Sequence, residues 1–187
     1  DFALFIFAYA GDPESLALAD LFPVDQIKRD PGLEGTLEYA LVKAGIPALT
    51  LELGGPRGYE PEMVKAGVEG IDNVLAHYGV SGQKVGRTAV SVNAFRGNAL
   101  VAVVADTGGF VAYLVQLNDA VTEGQKLAIQ RNAFGDVVRE YKATAAGRIA
   151  IRGTDAIRER GSDIAVILTD RPDCPPEGCP YYAGDER

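Results

Sequence analysis

The chain has 187 residues, of which 47% are hydrophobic and 24% are charged, a composition typical of a globular protein with one ordinary domain or two small ones. Its formal net charge of -8 argues against nucleic acid or an anionic membrane surface as the main partner, because both require clustered lysine and arginine. No apolar run approaches the roughly 20 residues of a membrane span, and the N-terminal segment lacks the basic region of a signal peptide.

The first third of the chain predicts strands and helices in alternation. DFALFIFAY has a strand pattern with no preceding segment to pair with, and there is no initiator methionine, so we expect the chain to be the C-terminal part of a longer protein. DPESLALADLF and TLEYALVKA have the spacing of short helices, and ALTLEL follows as a strand of the buried type. This order indicates part of a layered α/β domain.

The segment EPEMVKAGVEGIDNVLAHYGV predicts a longer helix, with acidic residues early and Gly79 as its stop. Apolar residues recur along it at spacings of three, four and seven, which is the pattern of a helix face that packs on a core. The predicted core-facing residues are Met63, Val64, Val68, Ile71, Val74 and Leu75.

The character of the sequence changes after Val80, where helical patterns give way to short β-type runs separated by glycine, asparagine and aspartate. We predict an α/β domain over residues 1–82, an all-β domain over residues 83–169 and a tail over residues 170–187. The predicted fold class is therefore α/β followed by a small all-β domain.

Two stretches of the second half repeat one pattern: GGFVAYLVQLNDAVTEGQKLAIQ and AGRIAIRGTDAIRERGSDIAVIL. A single hairpin unit cannot bury its apolar face alone, so two copies would pack together into one small β-sandwich. The pattern resembles the biotinyl/lipoyl-like barrel-sandwich hybrid, whose carrier members present a lysine at the hairpin tip between the repeats. The matching link has Phe134-Gly135-Asp136 at its turn and no lysine, so the resemblance implies the fold without the carrier function.

The two cysteines, Cys174 and Cys179, lie close together in DCPPEGCPYY. With no second cysteine pair and no nearby histidine, they are too few for a tetrahedral zinc site. We interpret this segment as a solvated tail with either free thiols or a local disulfide, and we expect a cytoplasmic location.

Glu52 is the residue that most directly suggests chemistry. It stands at the end of an otherwise apolar strand, directly before a turn that contains Gly54 and Gly55, and an isolated buried charge is costly. Because sites in α/β sheets assemble where strands end, Glu52 is a candidate general base or acid. The alternative is an ion pair of Glu52 with Arg57 or another cation.

The segment GIPALTLELGGPRGYEPEMVKAGVEGIDNVLAHYGV closely resembles part of the aspartoacylase/succinylglutamate desuccinylase family, relatives of the zinc carboxypeptidases. In that family a glutamate in a T-x-E-[LIV]-G strand end is the proton shuttle, and Glu52 occupies the matching position. The resemblance implies a zinc-carboxypeptidase-like mixed sheet followed by a barrel-sandwich domain. It also implies hydrolysis of an N-acyl amino acid or similar acylated amine, with Arg57 and Tyr59 as candidate substrate-binding residues.

The resemblance implies a Zn²⁺ cofactor, but the family's zinc-binding motifs lie N-terminal to the region present, so we expect the ligands upstream of residue 1. The sole histidine, His77, is interpreted as a satisfied or solvent-facing side chain, since zinc needs at least three convergent ligands. The expected partners are a small N-acylated substrate and the missing N-terminal half, with homo-oligomerisation left open. The alternative function is a non-catalytic assembly or regulatory module, which the sequence upstream of Asp1 would distinguish.

Overall fold

The computed structural model describes residues 1–56 and 58–180, which form a mixed α/β fold with three four-stranded sheets and few helices. The helices are α1 (Pro13–Asp20), α2 (Leu37–Lys43) and α3 (Pro61–His77). The strands of the first sheet are β1 (Leu4–Tyr9), β2 (Gln26–Asp30), β3 (Leu49–Leu53) and β4 (Phe95–Gly97). The remaining strands are β5 (Ala99–Val104), β6 (Gly109–Tyr113), β7 (Ala120–Val121), β8 (Lys126–Arg131), β9 (Val137–Lys142), β10 (Gly147–Arg152), β11 (Ile157–Arg158) and β12 (Asp163–Thr169).

The first sheet has the strand order β3-β1-β2-β4, with β2 parallel to both β1 and β4 and β3 antiparallel to β1. The N-terminal strand β1 pairs with two later segments of the chain: it lies between β2 and β3 and is almost wholly buried. The expectation that ALTLEL is a buried strand needs correction, because among the described residues β3 is an edge strand and its side chains are only partly buried.

The first sheet packs against a second sheet of order β5-β12-β10-β7. Phe5 and Phe7 of β1 share a hydrophobic cluster with Leu100 and Leu168 of that second sheet. Backbone hydrogen bonds join the same two layers, including one from the Ala3 amide to the Ala150 carbonyl at 2.8 Å. Strand β4 lies beyond the predicted boundary after residue 82 and yet completes the first sheet.

The repeat predicted from the sequence has a structural counterpart in the second sheet and the third, which has the order β11-β6-β8-β9. The short strand of each repeat pairs with the other repeat: β7 pairs with β10, and β11 pairs with β6. Between β8 and β9 the chain turns at Phe134-Gly135-Asp136, as predicted, with Gly135 at φ 88°. The β-type runs VAVVA, GFVAYLVQL, KLAIQ, GDVVREYKA, GRIAIR and DIAVIL overlap strands β5, β6, β8, β9, β10 and β12, respectively.

Helix α1 is set by its first residues: the Asp12 carboxylate caps it by accepting hydrogen bonds from the Ser15 amide and hydroxyl, and Pro13 occupies the first turn. Helix α3 also begins with a proline, Pro61. No helix within the described residues is long and apolar enough to cross a membrane.

The predicted apolar face of α3 is mostly wrong. Four of its members are exposed, by 37 to 55% of their surface: Val64, Val68, Ile71 and Leu75. The helix instead buries a face of small residues, and a methyl group added to Gly70 would come within 1.9 Å of the Phe22 ring. Close approach of the helix to Phe22 decides which face is buried, and it leaves an apolar stripe uncovered in the described structure.

The C-terminal segment differs from the solvated tail that we expected. Cys174 and Cys179 form a disulfide bond, which is one of the two alternatives left open by the sequence. The segment docks on the protein through backbone hydrogen bonds, including one from the Cys179 amide to the Asn98 carbonyl at 2.8 Å. Short polar contacts to β2 hold it further, and they are described below.

Candidate functional site

One face of the first sheet combines phenylalanines with polar side chains. Residues directly opposite each other in neighbouring strands point to the same face of a sheet. Phe5 lies opposite Glu52, and Phe7 lies opposite both Thr50 and Lys28. The alternation in β3 therefore sends Thr50 and Glu52 to this face, while the leucines of β3 pack towards the helices.

A cavity of about 200 Å³ opens on this face, which is room for a small metabolite. Its walls come from β1, the end of β2 and the loop that follows it, the start of α2, strand β3 and the C-terminal segment. The lining includes Asp30, Thr36, Glu38, Thr50, Glu52 and Pro180. None of its described lining residues is a lysine, arginine or histidine, so the cavity is acidic and otherwise largely apolar.

Glu52 is partly buried in this cavity, and burial raises the pKa of its carboxyl group above the ordinary value. Within residues 1–56 and 58–180 it forms no hydrogen bond or ion pair. The alternative pairing with Arg57 falls on a residue outside those ranges. A partly desolvated carboxylate that faces a cavity can accept a proton and return it more readily than an exposed one, as a general base and acid must.

Glu38, in the first turn of α2, is a second carboxylate of the cavity. One of its oxygens, Oε2, accepts a hydrogen bond from the Thr50 hydroxyl at 2.6 Å. The other, Oε1, is buried and has no hydrogen-bond partner in the described structure. Burial raises the pKa of Glu38, because removal of the carboxylate from water outweighs the Thr50 hydrogen bond.

Asp30, the third carboxylate, differs from the other two because its charge is compensated. Its Oδ2 lies 2.5 Å from the ammonium group of Lys28, whose side chain is 0% exposed. Its Oδ1 accepts a hydrogen bond from the Gly32 amide at 2.7 Å. Burial lowers the pKa of Lys28, and the neighbouring Asp30 opposes that shift. Among the described residues, Glu38 and Glu52 are thus the carboxylates of the cavity that have no cation paired with them.

The residues predicted from the sequence do not all meet in this cavity. Glu52 lies in it, whereas Tyr59 is 79% exposed and lines a different, larger and more open cavity beside Met63. Arg57 lies outside the described residues. His77 is partly exposed, with its Nε2 at 3.7 Å from Glu14.

The sequence analysis missed Lys28, Asp30 and Glu38. Alternation in the TLE run could have placed Thr50 on the same face as Glu52. No local pattern distinguishes Asp30 or Glu38 from ordinary surface carboxylates, because the other segments that line the cavity with them are distant in sequence.

The described residues do not provide a metal site. They contain no group of three or more histidine, cysteine, aspartate or glutamate side chains arranged to hold a metal ion. The carboxylates of the cavity therefore do not fit the zinc ion that the resemblance implies, whose tetrahedral sites use convergent nitrogen, sulfur or oxygen ligands. Zinc ligands from polypeptide outside residues 1–187 remain a prediction.

No protein-family model matches the chain. Among curated proteins, the chain is 32% identical to N-alpha-acetyl-L-2,4-diaminobutyric acid deacetylase from Halomonas elongata over 139 residues. That alignment covers 72% of this chain and 40% of the relative.

Several solved structures share the fold. The apo structure of the ectoine utilization protein EutE (DoeB) from Ruegeria pomeroyi has a TM-score of 0.77 and 21% identity, over 90% of this chain and 56% of that one. A succinylglutamate desuccinylase/aspartoacylase from Rhodobacter sphaeroides has a TM-score of 0.73 and 22% identity, over 92% of this chain and 55% of that one. The chain thus spans about half the length of these structures, or less for the curated relative. The resemblance predicted from the sequence is confirmed at the level of the fold: the solved structures similar to this chain include succinylglutamate desuccinylase/aspartoacylase family proteins, and the chain has the fold of about half of one.

Proposed function

We propose that this chain is part of a deacylase that hydrolyses the amide bond of a small N-acylated amine, and that Glu52 is its general base and acid. One observation carries the proposal: Glu52 is a desolvated carboxylate, without a partner among the described residues, in a cavity the size of a small metabolite. The deacetylase relative from Halomonas elongata supports the reaction class.

In the proposed reaction, Glu52 takes a proton from a water molecule while the oxygen of that water attacks the acyl carbonyl carbon. The protonated Glu52 then gives that proton to the amide nitrogen as the carbon–nitrogen bond breaks, which releases a carboxylic acid and an amine. A raised carboxyl pKa suits both steps, because proton transfer is most efficient when the pKa of the group lies near the operating pH.

The charge of the cavity supports a substrate that carries an ammonium group. Asp30 is neutralised by Lys28, but Glu38 and Glu52 are not neutralised by any described residue, and the Oε1 of Glu38 lacks a donor. A substrate ammonium would supply both a charge and a donor there. The named substrate of the curated relative, an N-acetylated diaminobutyric acid, is an amine of this class. Recognition of a substrate carboxylate by Arg57, and any role of Tyr59, remain predictions.

The rest of the catalytic unit would come from polypeptide outside this chain. We infer a second part that carries the zinc ligands and packs on the first sheet, where β3 is an edge strand in the described structure. The exposed apolar stripe of α3 supports a covering layer on that side, since Val64 and Val68 are 41% and 54% exposed. When bound, zinc would polarise the acyl carbonyl and acidify water. The homo-oligomeric state and the cytoplasmic location also remain predictions.

The test of Glu52 compares full-length wild-type protein with Glu52→Gln on N-acetyl-2,4-diaminobutyrate. We expect kcat to fall by roughly 10² to 10⁴-fold, because that is the usual contribution of a positioned acid–base group, with metal content unchanged. Glu62→Gln is the matched control, since the Glu62 side chain is 88% exposed. Equal kcat for Glu52→Gln and wild type would remove Glu52 from the mechanism.

The test of charge selection uses a second substrate, N-acetyl-2-aminobutyrate, which lacks the side-chain amine. Glu38→Gln should raise KM for the diamine derivative by about tenfold, the scale of one charge-assisted hydrogen bond, and should leave KM for the uncharged side chain nearly unchanged. An equal rise for both substrates would show that Glu38 supports the fold of the cavity and does not select charge.

A further inference from the structure

One wall of the cavity comes from a segment that contains a disulfide bond. Residues 174–180, here called the strap, contain the Cys174–Cys179 disulfide and end at Pro180, which lines the cavity. Both cysteines are only partly buried, so a small thiol can reach the bond. The lining residue Pro180 therefore directly follows a short loop closed by a bond that can be reduced.

The strap docks on β2 through its backbone carbonyl groups. Lys28 donates a hydrogen bond from Nζ to the Cys179 carbonyl at 2.9 Å, and Arg29 donates from Nη2 to the Pro176 carbonyl at 2.7 Å. Lys28 is the residue whose ammonium also binds Asp30, another lining residue of the cavity. One buried ammonium group thus contacts both the strap and a second lining residue of the cavity.

A close backbone approach makes the docked position specific. Gly178 adopts φ 95°, and a methyl group added there would lie 2.2 Å from the Arg29 carbonyl oxygen. The Gly178 amide donates to the Pro175 carbonyl within the loop, and the Cys179 amide donates to the Asn98 carbonyl outside it. These contacts require a compact loop conformation, and the disulfide restricts the chain to conformations close to it.

We propose that the strap is a redox-sensitive wall of the cavity, which a cellular dithiol opens by reducing the Cys174–Cys179 bond. Two electrons come from the dithiol: its two S–H bonds become one S–S bond, the strap S–S bond breaks, and each cysteine sulfur takes a proton. The reduced loop gains conformational freedom, so the Cys179 carbonyl leaves Lys28 and Pro180 leaves the cavity. The regulatory meaning of this step rests on the proposed function, because the cavity is where the acylated amine would bind.

Hydrogen exchange tests the structural step without any substrate. We expect dithiothreitol to raise the exchange rates of the Gly178 and Cys179 amides by roughly tenfold or more, the effect of losing a short-loop constraint. The Cys174→Ser/Cys179→Ser double variant should show the same rates with and without dithiothreitol. Amides of β12 should not change. Equal strap protection in oxidised and reduced protein would overturn the proposal.

A second variant separates docking from the disulfide. Gly178→Ala should release the strap while the bond stays intact, because its methyl group cannot fit against the Arg29 carbonyl. If the strap amides exchange faster in Gly178→Ala but not in the reduced wild-type protein, packing alone holds the strap in place, which contradicts the redox proposal. In the full-length enzyme, reduction should raise KM more than it lowers kcat. Because the exchange measurement needs no catalysis, its result stands whether or not the deacylase assignment holds.

Discussion

Replacement of Lys28 by methionine tests whether the ion pair beneath the cavity is buried as the structure shows. Lys28 has a side-chain exposure of 0% and its partner Asp30 has 12%, with the charged atoms 2.5 Å apart. Lys28→Met keeps much of the side-chain volume but leaves Asp30 as a buried charge without its cation. Loss of one partner of a buried pair typically costs about 3 to 5 kcal/mol. We expect a loss of that order in the free energy of unfolding at neutral pH.

Lys126→Met is the matched control for the same substitution in an exposed pair. Lys126 and Glu140 are 39% and 43% exposed, with the charged atoms 2.6 Å apart, so distance alone does not separate the two pairs. Exposed pairs contribute about 1 kcal/mol or less because water and salt screen them. Urea titrations followed by circular dichroism measure both free energies.

A double variant shows whether the loss of stability in Lys28→Met comes from the unpaired charge of Asp30. Lys28→Met/Asp30→Asn removes the charge but keeps an oxygen that can accept the Gly32 amide. It should recover much of the stability lost in Lys28→Met, because no buried charge is then left without a partner. A loss below about 1 kcal/mol in Lys28→Met, equal to that in Lys126→Met, would refute the buried pair.

Two further predictions concern stability. Gly70→Ala should lower the free energy of unfolding by about 1 to 3 kcal/mol, because its methyl group would meet the Phe22 ring at 1.9 Å. Gly82→Ala is the control: nothing lies within 4 Å of the added methyl group, so the free energy of unfolding should change by less than about 0.5 kcal/mol. Equal melting temperatures for the two variants would contradict this packing. Glu52→Gln should gain stability relative to wild type as pH rises above 4.5. The raised pKa of Glu52 means that the folded state binds more protons than the unfolded state there, so wild-type stability falls with rising pH while the variant lacks this loss. A pH-independent difference in melting temperature would contradict the desolvation of Glu52.

Several elements could be predicted because local sequence decides them. The run LTLEL forms β3, and its alternation sends Thr50 and Glu52 to one face and the leucines to the other. Asp12 and Pro13 start α1 through a hydrogen bond and a fixed backbone angle that involve only adjacent residues.

Other elements could not be predicted because their stability depends on distant partners. Strand β2, QIKRD, has the composition of a surface segment, yet Gln26 and Lys28 are fully buried. The Gln26 amide donates to the Ile149 carbonyl at 2.9 Å, and Lys28 is paired with Asp30 and with Cys179 of the strap. The nitrogen donors of both buried side chains find acceptors on distant segments, β10 for Gln26 and the C-terminal segment for Lys28, which a local pattern cannot show.

The sequence by itself determined most of the strands, the repeat and the candidate carboxylate Glu52, since alternation, turn residues and a short motif are local properties. The tertiary structure decided which face of α3 is buried, that β1 is central, and that Glu38 and Asp30 join Glu52 around one cavity. It also decided that Pro180, at the end of the disulfide-containing strap, lines that cavity. These outcomes depend on contacts between segments far apart in the chain, and the free energy of such contacts depends on their geometry, which no local pattern contains.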